Sequence, residues 1–198
     1  MSKTYKIVST LVILAVVVVG GYYLYQQHRA RKAGMLTENI THDGDNWTAD
    51  FTARIGAPEQ RVFDTIKDVE HAKSDQVKSV QVISQTDNTK TVRMQIAGPG
   101  GQDITTQLAF EYFPAENRIV YHTVGGGPFA TTAEYKLDDE GGSTLMMFHE
   151  STKVGQSIPV PDGVIKQVIR GVFLAQLEGL KKALNLTEVD TAQDTDEP

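Results

Sequence analysis

The sequence predicts an α+β fold: a seven-stranded antiparallel sheet folded round one long C-terminal helix, with an apolar transmembrane helix ahead of it. Three observations predict this. Residues 7–25 form an uncharged apolar run. Residues 47–153 hold seven strand-like segments separated by turn signals. Residues 161–184 carry apolar side chains at helical spacing. Short links between consecutive strands join antiparallel neighbours, because parallel pairing needs a long crossover. Such a sheet must bury one face, and the terminal helix is the predicted element long enough to cover it.

The apolar run reads IVSTLVILAVVVVGGYYLY. As a helix it spans roughly 28 Å, close to a hydrocarbon core of about 30 Å. Tyr22, Tyr23 and Tyr25 fall where an interfacial aromatic belt sits, and His28, Arg29, Arg31 and Lys32 follow as a basic collar. A cleavable signal peptide has a shorter apolar region, with small residues before its cleavage site. Here Gly20-Gly21 leads into bulky tyrosines and basic residues, so the segment reads as an uncleaved single-pass anchor. Lys3 and Lys6 nearly balance the collar; the denser collar tilts the expected orientation towards a cytoplasmic domain.

Residues 1–34 are therefore expected to be the membrane anchor with basic flanks. Residues 35–46 are polar with a glycine and read as a linker. In residues 47–55, Trp47, Ala49, Phe51, Ala53 and Ile55 alternate with polar residues as in a half-buried strand. Gly56 ends it. Pro58 suits a first helical turn and Glu59 its positive end, with Val62, Phe63 and Ile66 forming an apolar face. A break is expected near Lys67-Asp68. Strands follow at about 77–86, 91–97, 103–113, 118–124, 129–137 and 143–153, punctuated by Asp87-Asn88, residues 98–101, 114–117, 125–128 and 138–142. Pro161 and Asp162 open the last helix, whose apolar face is expected to include Val164, Val168, Val172, Leu180, Ile165, Ile169, Phe173, Leu177 and Leu184, with Arg170 on the polar side. Gly171 and Gly179 each cost about 1 kcal/mol against Ala in a free helix, which points to close packing or to space left beside it. Residues 187–198 are acidic, nearly devoid of apolar side chains, and expected to be disordered.

The chain has 198 residues, no cysteine and a net charge of -6. Disulfides, thiolate metal sites and a cysteine nucleophile are thereby excluded. Residues 1–34 hold five basic residues and no acidic ones, leaving 14 of the 19 basic residues against all 25 acidic ones. An acidic soluble part argues against nucleic acid as a partner, since phosphates require a basic surface.

The residues around the first strand's end carry a resemblance. Ile55, Ala57 and Pro58, followed by Val62, Phe63, Ile66, Asp68 and Glu70, form an I-x-A-P segment leading into V-F-x-x-I-x-D-x-E. This resembles the opening of the START-like superfamily (SRPBCC, polyketide cyclase/dehydrase and lipid transport). The similarity runs over residues 47–186. It implies the helix-grip fold and a hydrophobic small-molecule ligand, such as a lipid or isoprenoid. One departure is that His71-Ala72-Lys73-Ser74 stands where many members carry an aromatic.

Site candidates follow from chemistry and placement. Phe110, Tyr121, Phe129, Met147 and Phe173 are expected to line an apolar cavity, with His149 as a polar group inside it. Adjacent strand residues face opposite ways, so only one of His149 and Glu150 can point inward. That pair is the best candidate for acid–base chemistry if the domain is a cyclase or dehydratase rather than a binder. A ligand-free interaction module is the third possibility. The histidines lack metal-ligand spacing, and the glycine runs at 98–101 and 125–127 do not lead into a Lys-Ser/Thr helix start. No metal, cofactor or catalytic constellation is expected. Tripeptides at Asn39, Asn46 and Asn185 match a glycosylation pattern. The expected partners are the membrane, through residues 7–25, and a hydrophobic ligand.

Overall fold

The computed structural model describes residues 28–71, 77–97, 103–125, 129–154 and 162–186. The chain divides into two compact units, 1–32 and 33–198. In the first, residues 28–32 are described and helical. The predicted anchor at 7–25 and the acidic tail at 187–198 lie outside the described residues. Among the described residues, no helix is long and apolar enough to cross a membrane.

The second unit is an antiparallel sheet with a long terminal helix. Its strands are β1 (Met35–Asp43), β2 (Asn46–Ile55), β3 (Val77–Gln85), β4 (Thr89–Ala97), β5 (Asp103–Phe113), β6 (Arg118–Gly125), β7 (Phe129–Asp139) and β8 (Thr144–Val154). Its helices are α1 (Glu59–Lys67) and α2 (Asp162–Ala183). The strand order is β1-β2-β8-β7-β6-β5-β4-β3. β2 and β8, far apart in sequence, are hydrogen-bonded neighbours, and after β2 the chain passes through α1 to β3 at the opposite edge of the sheet.

The sheet has eight strands rather than seven, and the segment read as a linker is β1. It pairs with β2 from Asp43↔Asn46 to Met35↔Ala53. Its polarity misled because it is an edge strand, exposed at most positions. An edge strand is held by one ladder of backbone bonds and needs little apolar patterning. Gly44, at φ 59°, turns the chain between Asp43 and Asn46, so the glycine is hairpin chemistry rather than linker flexibility. Gly34 fixes the other end. Its carbonyl accepts from Arg54 N–H at 2.8 Å, its φ is 80°, and a Cβ there would lie 2.5 Å from the Arg54 carbonyl oxygen.

α1 begins after Pro58 with Glu59 in its first turn, and buries Val62 and Phe63. It ends at Asp68, and a short 3₁₀ turn covers Val69–His71. Thr144 Oγ1 donates to the Ala57 carbonyl at 2.7 Å, tying the β2–α1 corner to β8. Arg61 donates to the Leu184 carbonyl at 2.7 Å, tying α1 to the residues after α2.

α2 lies over the β2–β8–β7 part of the sheet. Phe173 stacks on Phe51 of β2, with centroids 4.1 Å apart, and on Phe148 of β8 at 5.2 Å. Its buried face is Arg170, Phe173, Leu174 and Leu177. This corrects the expected face in two ways. Val164, Val168 and Val172 are 48%, 53% and 37% exposed, whereas Arg170 is buried. Arg170 turns inward because Glu38 of β1 meets it there, Nε to Oε2 2.7 Å. The approach is poorly aligned for a hydrogen bond, so this is an ion pair. The helix's polar side could not be read correctly without the unpredicted strand that supplies its partner.

Candidate functional site

The inner face of the sheet is the face that α2 packs on. Alternation puts Trp47, Ala49, Phe51, Ala53 and Ile55 of β2 there, all buried. The same parity carries Phe110 and Tyr112 of β5, Ile119 and Tyr121 of β6, Ala133, Tyr135 and Leu137 of β7, and Met146 and Phe148 of β8. Coverage is uneven. Under α2 the inner residues are fully buried, whereas Ile104, Thr106 and Leu108 of β5 and Met94 and Ile96 of β4 are only partly so. The inner face is thus a trough, roofed by α2 on one side and more open over β4–β6.

Strand register arranges its floor in rows. One row is aromatic and apolar: Phe51, Phe148, Tyr135, Ile119 and Tyr112. The next is Ala49, Glu150, Ala133, Tyr121, Phe110 and Lys90. Beyond Glu150 come Trp47, Thr152 and Thr131, with Thr123 Oγ1 accepting from Thr131 N–H at 3.1 Å. A carboxyl group therefore sits among alanines, aromatics and threonines. Thr152 donates to Glu150 Oε1 at 2.7 Å, and the Thr152 and Thr131 hydroxyls are 2.9 Å apart. Tyr135 donates to Gln176 Oε1 of α2 at 2.9 Å.

Burial pushes the Glu150 carboxyl above the usual carboxylate range, against the smaller opposing effects of the Thr152 hydrogen bond and of His149. Burial also raises the Tyr121 and Tyr135 phenols, with Glu150 adding to it, so both hydroxyls stay protonated. The row's cation is already committed: Lys90 is buried, its Nζ meets Glu70 Oε2 at 2.5 Å and it donates to the Lys67 carbonyl at 3.1 Å.

The structure sorts the predicted site residues by face. Phe110 and Tyr121 lie side by side in the polar row, ring centroids 5.2 Å apart. Phe129 shares the inner parity of β7 and is partly buried, near the strand's start. Phe173 caps the aromatic row from α2. Met147 and His149 are a correction, because both lie on the outer face. Met147 stands opposite Thr52 and Lys136, and His149 Nδ1 is 2.7 Å from Asp50 Oδ1 on an exposed pair. Both parities of β8 are apolar, Leu145 and Met147 against Met146 and Phe148, so alternation alone could not choose between His149 and Glu150. Gln176, Thr152 and Thr131 had no sequence signal; they join the site through register and through the placement of α2. His122 is also on the outer face, 4.0 Å from Glu111. Among the described residues, no cluster of three His, Cys, Asp or Glu side chains is placed to hold a metal ion. An open surface groove lined by Pro58, Gln60, Arg61, Asp64, Thr65, Asp68 and Ala183 lies outside the trough.

No family model matches the chain, and no curated protein matches it. Solved structures do. The Zhui aromatase/cyclase from Streptomyces sp. R1128 is similar at 15% identity and TM-score 0.63, over 71% of this chain and 94% of that one. A START superfamily protein from Mycobacterium smegmatis is similar at 22% identity and TM-score 0.55, over 69% and 93%. Ara h 8.0201 is similar at 13% identity and TM-score 0.57, over 71% and 99%. The chain thus shares the α+β fold of START-type and aromatase/cyclase proteins: an antiparallel sheet closed by a C-terminal helix, here with eight strands.

Proposed function

We propose that residues 35–186 form a binding module for a hydrophobic small molecule, held at a membrane by residues 7–25. The observation that carries this is the trough: an apolar and aromatic floor, only partly roofed by α2, with one hydrogen-bonding row through it. A purely structural core of this size has no need of a half-buried carboxyl, which costs free energy wherever it is not fully satisfied. Phe110, Tyr121, Phe129 and Phe173 supply apolar surface and Glu150 the polar contact. The acidic character of the chain beyond residue 34 supports a role without nucleic acid. The apolar run and its basic collar support the tether, which raises the effective concentration of the domain near lipid. The denser collar favours a cytoplasmic domain.

The test is native mass spectrometry of the full chain in mild detergent, with extraction of co-purified compounds. A stoichiometric hydrophobic compound supports the module and gives its class. A chain that purifies empty and takes up no lipid from vesicles refutes it, in favour of an interaction module.

Glu150 favours a second reading, a cyclase-type enzyme using it as acid and base. A bound aryl β-diketone would then exchange its α-protons with solvent deuterium faster in the presence of the wild type than of Glu150→Gln. Equal rates refute the enzyme reading and leave the binder intact.

A further inference from the structure

The surroundings of Glu150 are specific about what a ligand must present to it. Its two cross-strand neighbours on the inner face are Ala49 and Ala133. Their side chains end at Cβ, so neither adjacent strand covers the carboxyl. Oε1 is taken by Thr152. Oε2 has no hydrogen-bond partner among the described residues, yet it is not a sealed, orphaned atom, and the residue stays partly accessible. Close by, Tyr135 uses its proton on Gln176 Oε1, and the Gln176 amide nitrogen donates to the Tyr121 phenol; a primary amide has two N–H donors, so one is left for a ligand. An open acceptor and an open donor thus border one stretch of the trough.

We propose that the trough takes an uncharged amphiphile bearing a hydroxyl, of alcohol, phenol or enol type, at its inward end, the hydroxyl donating to Glu150 and accepting from Gln176; this rests on the binding reading above. The chemistry excludes the neighbouring classes. A fatty acid or phosphate ester would bring a second anion beside a poorly solvated carboxyl, and two such groups resist joint ionisation. A hydrocarbon would strip water from Glu150 and return nothing. An ammonium can donate but not accept, which strands the Gln176 amide and buries an ion pair at a desolvation cost. A site built to bond a hydroxyl rejects analogues lacking it far more strongly than a greasy pocket does.

Trp47 reports on this directly. It is the only tryptophan, is buried on the inner face, and stands opposite Thr152. The full chain in phosphatidylcholine nanodiscs is titrated at neutral pH with 2-naphthol, 2-naphthoate, (2-naphthyl)methylammonium and naphthalene, following Trp47 emission against empty nanodiscs. The expected result is that 2-naphthol binds at least about tenfold more tightly than the other three. Glu150→Ala should abolish that preference, with naphthalene binding more tightly than to the wild type because no carboxyl is desolvated. Glu150→Gln, which keeps the side chain's shape, should relieve the rejection of naphthoate and decides the matter if the alanine variant does not fold. Naphthoate or the ammonium binding as tightly as naphthol overturns the proposal, as does a naphthol preference that survives both substitutions. Equal binding of all four overturns the hydroxyl specificity while the hydrophobic-binder reading stands. Binding of none overturns both.

Discussion

Phe173 is the side chain on which the closure of α2 depends most directly. It is 2% exposed and lies nearly parallel to Phe51, at 9°, and within 25° of Phe148. Truncating a buried Phe to Ala costs about 3–5 kcal/mol through lost transfer energy and the cavity left behind. Aromatic pairs add about 0.5–1.5 kcal/mol each beyond burial, and Phe173 has two, so Phe173→Ala belongs at the upper end, about 4–5 kcal/mol. Domains of ordinary stability have only about 5–15 kcal/mol in total, so the variant should be close to unfolding. Val168, on the same helix but 53% exposed, is the control; Val168→Ala should change stability by no more than about 0.5 kcal/mol. The assay is equilibrium urea unfolding of the full chain in mild detergent, followed by Trp47 emission, which yields both midpoint and slope. A Phe173→Ala loss below about 1.5 kcal/mol at unchanged slope, or equal losses at the two positions, would refute the reasoning that the Phe51–Phe173–Phe148 stack clamps α2 to the sheet.

Three further outcomes are expected. Burial raises the Glu150 carboxyl's pKa in the fold, so the native state holds this proton more tightly than the unfolded chain. Its contribution to stability is complete below the unfolded carboxylate range and is lost as pH rises through the raised native value. Glu150→Gln should therefore raise the thermal midpoint relative to wild type at neutral pH and lose that advantage near pH ~4; a constant difference across pH would contradict it. Glu38→Ala strands the Arg170 charge; the usual cost of about 3–5 kcal/mol for breaking a buried pair falls to about 1–3 here because the Glu38 side chain is 33% exposed. Adding Arg170→Met should recover most of that loss in the same urea assay, and no recovery would mean that Arg170 acts through packing of its stem rather than its charge. Thr144→Val leaves the Ala57 carbonyl without its 2.7 Å donor and should cost about 1–3 kcal/mol, read as a shift in urea midpoint; an unchanged midpoint would show that the corner is held without that bond.

What the sequence determined by itself was local and periodic. Strict alternation over Trp47, Ala49, Phe51, Ala53 and Ile55 gave β2 and its buried face, because one face of that strand meets the core along its whole length. Turn chemistry at Asp87-Asn88 and at Pro114–Glu116 separated β3 to β6 within a residue or two. Pro58 and Glu59 placed the start of α1. Tertiary structure decided what pattern could not encode. β1 is an edge strand whose pairing is made by backbone bonds, so residues 35–43 look like a polar linker until β2 is beside them. The inward face of β8 was undetermined because both of its faces are apolar; only register against Ala49 and Ala133 turns Glu150 in and leaves Met147 and His149 on the outside. The rotation of α2 was likewise not in its own sequence. A helix with apolar residues round much of its circumference offers several nearly equivalent faces. The stack with Phe51 and Phe148, and the ion pair with Glu38, select the one that buries Arg170 and exposes Val164, Val168 and Val172. The polar row of the site exists for the same reason: its members come from six strands, with Gln176 added from a helix, and only long-range packing sets them side by side.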